Sequence, residues 1–332
     1  MLRKTLLVIA TIAATACTRP GASTPSREMR WYVAVAQIPT ETTSRVAPGE
    51  QLASLGRLVA IDSASLRPVV VRRGGSGYAE GRVNDSLWYT MHLARPSTVT
   101  TYQGGRYHQE SIRALVNDTV VMASTALALV QSLPSDAIIL DFQGATPNDL
   151  PGVVEMVRAI SRAARPRARG PVTMVVPPGD TVSYPTSILA RVADILMIRL
   201  HGEHRPGTAP GPLNTPEFIA REIGLRTRAI GATRLGVELP LYGYRWNADG
   251  SAIPITYVDA QALVRAESGA FNRDPLSQFL TASGRDGWTV WIPDARTVQS
   301  MIAGARRRGI SLFALAGPEG ADPATLPPIL RR

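Results

Sequence analysis

The stretch Ser135–Gly144, SDAIILDFQG, constrains the fold of this chain more than any other. An apolar run, Ala137–Leu140, follows the turn signal Pro134-Ser135, and polar side chains then appear at alternate positions. In a strand, Ile139, Asp141 and Gln143 share one face, while Ile138, Leu140 and Phe142 share the other. An Asp and a Gln at the end of a greasy strand must be hydrogen-bonded or wet, because burying them bare is costly. Gly144 lets the chain leave. The pattern is that of a buried strand ending at an active-site-like mouth.

The rest of the chain is read around that strand. Strand patterns at Arg30–Ile38, Pro68–Arg72 and Leu87–Leu93 come first, with an ambiguous segment at Gly49–Ile61. Helical periodicity follows at Gln109–Leu133, then at Asp149–Ala164, where Asn148 or Asp149 is the expected cap. Strands at Val172–Pro177, Ile195–Leu200, Leu235–Tyr244 and Ile310–Ala316 alternate with helices at Thr186–Val192, Thr215–Ile230 and Asp294–Arg308. Such alternation implies a parallel sheet, and 332 residues with 45% hydrophobic content suffice for one large domain. The expected fold class is α/β, a (β/α)8 TIM barrel, with an open doubly wound sheet as the structural alternative. The segment of about 247–290 is longer than a barrel connection needs, so a small inserted α+β subdomain is expected after strand 7.

The N-terminus has a different composition. Arg3 and Lys4 precede the apolar run Thr5–Ala16, and small residues lead to Cys17, the only cysteine. Residues 1–16 read as a lipoprotein signal peptide, 17–29 as a tether and 30–332 as the barrel. Cys17 is then the lipidated residue. The expected location is the bacterial cell envelope, with the outer membrane favoured by Thr18 in place of an Asp. The formal charge of +10 falls to +8 once Arg3 and Lys4 are removed, by subtraction. Nearly all the cations are Arg, and their clusters at 162–169 and 306–308 carry no interleaved aromatics. Nucleic acid is therefore not an expected partner.

The motif in Ser135–Gly144 resembles the D-G-x-D-x-D-x-E strand of glycoside hydrolase family 18, the chitinase-like hydrolases. Asp136 and Asp141 match its first and third Asp, Ile139 replaces the second, and Gln143 replaces the Glu that is the family's proton donor. Ordered landmarks extend the likeness over about 109–323. They are Ala193-Asp194, the polar loop His201–Pro212, the run LPLYGYRW at Leu239–Trp246, and Trp291-Ile292-Pro293-Asp294-Ala295. The resemblance implies a barrel that handles N-acetylglucosamine polymers by substrate-assisted chemistry. The departures gather at its catalytic centre. Arg199-Leu200-His201-Gly202 stands for the family's M-x-Y-D, and Ala316 stands for its sugar-floor Trp.

The degenerate site is thus Asp136, Asp141, Gln143, Arg199 and His201, with no catalytic residue assigned. Asp141, Gln143, Tyr242, Tyr244 and Trp246 are the candidate ligand-binding residues. For Asp141 the two readings are a sugar-orienting group or half of a buried ion pair, and the second is preferred. Tyr244 and Trp246 serve equally as a sugar platform or as a seal on the insertion. The H-x-E-H run His201–His204 lacks the spacing of a zinc-binding helix, so no metal or other cofactor is expected. His92 and His108 are isolated. By strand parity Arg199 and His201 share a face, and the resemblance implies that it is the inward one, where Glu238 and Asp141 are the available partners of Arg199.

Three functions fit this pattern. The first is a non-catalytic envelope lipoprotein that binds glycan or another envelope component. The second is an active glycosidase on N-acetylglucosamine-containing polymers, with Glu203 or Glu238 as a relocated acid. The third is a protein-contact scaffold.

Overall fold

The computed structural model describes residues 137–166, 171–317 and 320–325, helix Thr119–Ser132, and short strands between Arg30 and Tyr107. Cys17, the tether, Asp136 and the strand expected at Leu87–Leu93 lie outside the described residues.

Nine strands form the main sheet: β1 (Arg30–Ala34), β2 (Leu58–Ile61), β3 (Pro68–Val70), β4 (Pro96–Thr100), β7 (Ala137–Asp141), β8 (Val172–Val176), β9 (Ile195–Arg199), β10 (Leu235–Pro240) and β16 (Leu312–Ala316). The hairpin strands β5 (Tyr102–Gln103) and β6 (Arg106–Tyr107) form a separate pair. The main sheet runs β1-β16-β10-β9-β8-β7-β4-β2-β3, and all its pairings are parallel except β2 with β3. Without β3, this is the sequential order of a (β/α)8 barrel, with β1 and β2 at the two ends. Helices α1 (Thr119–Ser132), α2 (Leu150–Ala164), α3 (Thr186–Leu189), α4 (Pro216–Ile230) and α6 (Ala295–Arg306) occupy the crossovers between β7, β8, β9, β10 and β16, or precede them.

Parity divides the sheet into two faces. Ile138, Leu140 and Phe142 join the large sheet–helix core with Met156, Ile160, Ile223 and Met301. Ile139 instead packs with Val175, Ile195, Met197, Leu312 and Ala314 in a separate cluster inside the barrel. Gly236 belongs to that layer, where a Cβ would come within 2.8 Å of the Met197 side chain. A larger residue there would overfill the interior.

Two local readings are corrected. The strand β4, with sequence PSTVT, was not expected from the sequence, yet it pairs with all of β7. The expected strand Leu235–Tyr244 is two strands: β10 ends at Pro240, and β11 (Gly243–Trp246) enters another sheet. That sheet is antiparallel and comprises β11, β12 (Ala252–Ile255), β13 (Asn272–Arg273), β14 (Leu280–Ser283) and β15 (Thr289–Ile292), with α5 (Tyr257–Ala266) between β12 and β13. Gly243 makes the junction possible, since a Cβ there would lie 1.9 Å from the Trp291 carbonyl oxygen. The start of α2 is as expected. Asp149 is the N-cap of α2, and a 3₁₀ turn, Pro147–Asp149, capped by Thr146, precedes it, with Asp149 Oδ2 accepting from both Thr146 N and Oγ1.

Candidate functional site

Two residues beyond the interior apolar layer, β7, β9 and β10 turn polar. From Ile139 the next inward position is Asp141, from Met197 it is Arg199, and from Gly236 it is Glu238. Arg199 and Glu238 are direct cross-strand neighbours, and Asp141 lies on β7, separated from β9 by β8. Asp141 is fully buried and Glu238 nearly so.

Their side chains converge on one guanidinium. Arg199 Nε donates to Glu238 Oε1 at 2.8 Å, and Arg199 Nη2 lies 3.2 Å from Asp141 Oδ1. The same Glu238 oxygen is 2.9 Å from His201 Nε2, and the Tyr242 hydroxyl is 3.1 Å from His201 Nδ1. Burial pushes the Glu238 carboxyl up, but Arg199 and His201 outweigh it and bring it down to about 2. Burial also holds the His201 imidazole below its ordinary value. An ionised carboxylate only accepts, so His201 Nε2 carries the ring proton and Nδ1 accepts the Tyr242 proton. Burial raises the Tyr242 hydroxyl well above the ordinary tyrosine value, so it remains a protonated donor. The result is a directed chain, Tyr242 to His201 to Glu238, with Arg199 closing it onto Asp141.

The sequence-derived residues are distributed unequally about this cluster. Gln143 is buried at the end of β7, and its Nε2 donates to the Val175 carbonyl at 3.3 Å. Tyr242 and Tyr244 are partly exposed and meet edge to face at 5.8 Å, with His201 and Trp246 at either end of the ring series. Trp246 leaves the set of ligand-facing residues. It is 1% exposed, and its Nε1 donates to the Thr208 carbonyl, sealing the loop after β9 against the second sheet. His204 does not join His201, because its Nδ1 pairs with the Ala209 carbonyl. Glu203 Oε1 accepts from the Thr215 hydroxyl. Among the described residues, no three His, Cys, Asp or Glu side chains gather as a metal site.

A second buried network escaped the sequence reading. Tyr184 donates its hydroxyl to the Phe142 carbonyl at 2.7 Å and accepts from Ala145 N at 2.9 Å, bracketing Gln143. Arg226, fully buried on α4, donates to the carbonyls of Tyr184, Pro177 and Asp180 and to the Thr186 hydroxyl. Glu222, one turn earlier, accepts from Gly179 N at 2.6 Å. The signal was present as an i, i+4 Glu–Arg pair on the apolar stripe of Phe218, Ile219 and Ile223.

No protein-family model matches the chain. A Bacillus subtilis protein described as an uncharacterized glycosylase, YvbX, is 23% identical over 196 residues, 54% of this chain and 56% of its own length. The match thus spans about half of that relative. Among solved structures, a chitinase from Chromobacterium violaceum superposes with a TM-score of 0.64 at 18% identity, covering 80% of this chain and 86% of its own. A class V chitinase from Nicotiana tobaccum, a Glu-to-Gln variant in complex with NAG4, gives 0.63 at 13% identity, covering 87% and 93%. The strand order, the inward parity of β7 and these superpositions agree, and the fold of this chain is a chitinase-like (β/α)8 barrel.

Proposed function

We propose that this chain is a non-catalytic, glycan-binding lipoprotein of the cell envelope, anchored through Cys17. The observation that carries the reading is the state of the would-be acid. Gln143 has no acidic proton, and its amide is held by the Val175 carbonyl. The neighbouring Glu238 is ionised and paired, so it holds no proton for a leaving sugar either. The tobacco neighbour is a Glu-to-Gln variant in complex with NAG4, which supports a Gln-bearing barrel as a sugar binder. Glycan-array binding combined with a fluorogenic chitobioside assay tests the proposal. Binding without turnover supports it, and turnover comparable to a working chitinase overturns it.

One observation favours a glycosidase reading. Glu203 Oε2 is buried without a hydrogen-bond partner among the described residues, and the relative YvbX is described as a glycosylase. Any hydrolysis lost in Glu203→Gln but kept in Glu238→Gln would establish Glu203 as a relocated acid.

A further inference from the structure

The two ends of the barrel carry different charge. The crossover helices run back to the end where the next strand begins, opposite the end that holds Asp141, Arg199 and Glu238. The turns at that far end are rich in arginine. Arg165 follows α2, Arg191 precedes β9, Arg234 precedes β10, and Arg306–Arg308 close α6. Among the described residues of those turns, Asp194 is the single acidic one. The connections at the mouth hold Asp149, Asp180 and Glu203 instead.

A helix C-terminus attracts cations by itself, and two of these side chains are used in that way. Arg308 Nη1 donates to the Gly304 carbonyl at 3.0 Å, and Arg234 donates to the carbonyls of Ala190, Ala193 and Asp194. The others are not. Arg165, Arg191, Arg306 and Arg307 are exposed, and their guanidiniums make no hydrogen bond or ion pair with the described residues.

Three of the arginines meet. Arg165, Arg191 and Arg234 line one cavity of about 210 Å³ together with Ser161 and Asp194. Asp194 Oδ2 accepts from Val172 N at 2.9 Å, and among the described residues the carboxylate forms no ion pair with the three cations. Ser161 Oγ donates to the Val192 carbonyl at 2.7 Å. A guanidinium matches two oxygens of a phosphate with paired N–H donors. Two unpaired guanidiniums around a polar cavity therefore fit a phosphate-bearing headgroup.

Position selects the source of that phosphate. β1 runs parallel to β16 with Arg30 opposite Leu312, so the chain enters the barrel at this same end. Residues 17–29 lie between Cys17 and β1, and they reach at most ~45 Å. With Cys17 lipidated, the basic end is the one nearest the bilayer and the mouth opens away from it.

We infer that the end of the barrel opposite the mouth, with its cavity of Arg165, Arg191 and Arg234, docks on anionic phospholipid headgroups. The choice of a membrane over a soluble polyanion rests on the Cys17 anchor proposed above.

The test is vesicle co-sedimentation of residues 17–332 carrying Cys17→Ser, so that no lipid is attached. Vesicles of equal parts phosphatidylglycerol and phosphatidylcholine are expected to bind the chain, less so as salt rises, and vesicles of phosphatidylcholine alone are not. Arg165→Gln and Arg191→Gln should each weaken binding about fivefold, which corresponds to about 1 kcal/mol for a basic side chain at such a surface. Both residues are exposed, so the melting temperature should move by no more than a few degrees, which separates lost contact from lost fold. Arg205→Gln removes an exposed charge at the mouth end and is expected to leave binding unchanged. An equal loss in Arg205→Gln would mean general charge attraction and overturns the inference. No binding to the anionic vesicles, or binding to soluble polyphosphate in their place, also overturns it. Lipidation of Cys17 is read separately, by mass spectrometry of the native chain from the membrane fraction, so failure of the anchor and failure of the docking face are distinguishable.

Discussion

Arg199 and Glu238 face each other in register on adjacent parallel strands, and their side chains close a 2.8 Å ion pair inside the barrel. Asp141 reaches the same guanidinium from β7, two strands away. Above the apolar layer the interior is thereby occupied by a paired charge cluster.

Removing one member of this cluster strands the others. Arg199→Met is expected to destabilise the domain by about 3–5 kcal/mol. Glu238→Gln in the same chain should recover part of that loss. Denaturant melts of the two single variants and the double variant measure the coupling. Additive effects would show that the pair is energetically idle.

Acid should weaken the fold in a defined window. Burial raises the Glu238 carboxyl, but Arg199 and His201 lower it from 4.5 to about 2. Its folded value lies below its unfolded one, so its stabilisation is complete above about pH 4.5 and is lost as pH falls toward 2. The amount is on the order of 3 kcal/mol. His201 acts in the same direction. Burial holds it neutral in the folded state, so proton uptake by the unfolded chain begins to erode stability as pH falls below 6.5. Denaturation midpoints taken from pH 7 to 3 should fall, and less steeply below pH 4.5 in Glu238→Gln.

Restoring the acid alone should not restore an enzyme. A general acid contributes roughly 10²–10⁴-fold to rate. In Gln143→Glu the neighbouring Asp141 would still be engaged by Arg199, and Arg199 and His201 would still stand where the resemblance places the family's other acetamido-orienting groups. The expected chitobioside turnover therefore stays far below that of a working chitinase. Efficient single-variant rescue would show that the cluster is no obstacle.

The Tyr184 strut should be felt at β7. Tyr184→Phe removes the hydroxyl shared by the Phe142 carbonyl and Ala145 N, leaving two backbone groups without that partner. The expected cost is about 1–3 kcal/mol. Hydrogen exchange should accelerate at Ala145 specifically. Unchanged protection there would count against the strut.

The barrel and much of its site were legible because both follow from a period of two. Once Ile139 is placed inside, Asp141 and Gln143 must follow, and the same step carries Met197 to Arg199 and Gly236 to Glu238. The pairing of Arg199 with both carboxylates then follows from the cost of isolating a guanidinium. What was not legible depends on partners distant in sequence. Pro96–Thr100 is short and Pro/Ser/Thr-rich, and it becomes a strand because β2 and β7 flank it. Leu235–Tyr244 reads as one strand. It is divided because Gly243 must approach the Trp291 backbone, a constraint set almost fifty residues away. Trp246 was legible equally as a sugar platform or as a seal, and the choice of the seal depends on Thr208 on another loop, whose carbonyl takes its indole proton.

Native mass spectrometry of the intact domain with the N-acetylglucosamine tetramer tests binding without cleavage most directly, because bound ligand and any product appear in one spectrum. The expected result is a protein peak carrying an intact tetramer that persists over hours, with no shorter oligomers. Dimers or monomers accumulating with time, or no complex with the tetramer, would contradict the account.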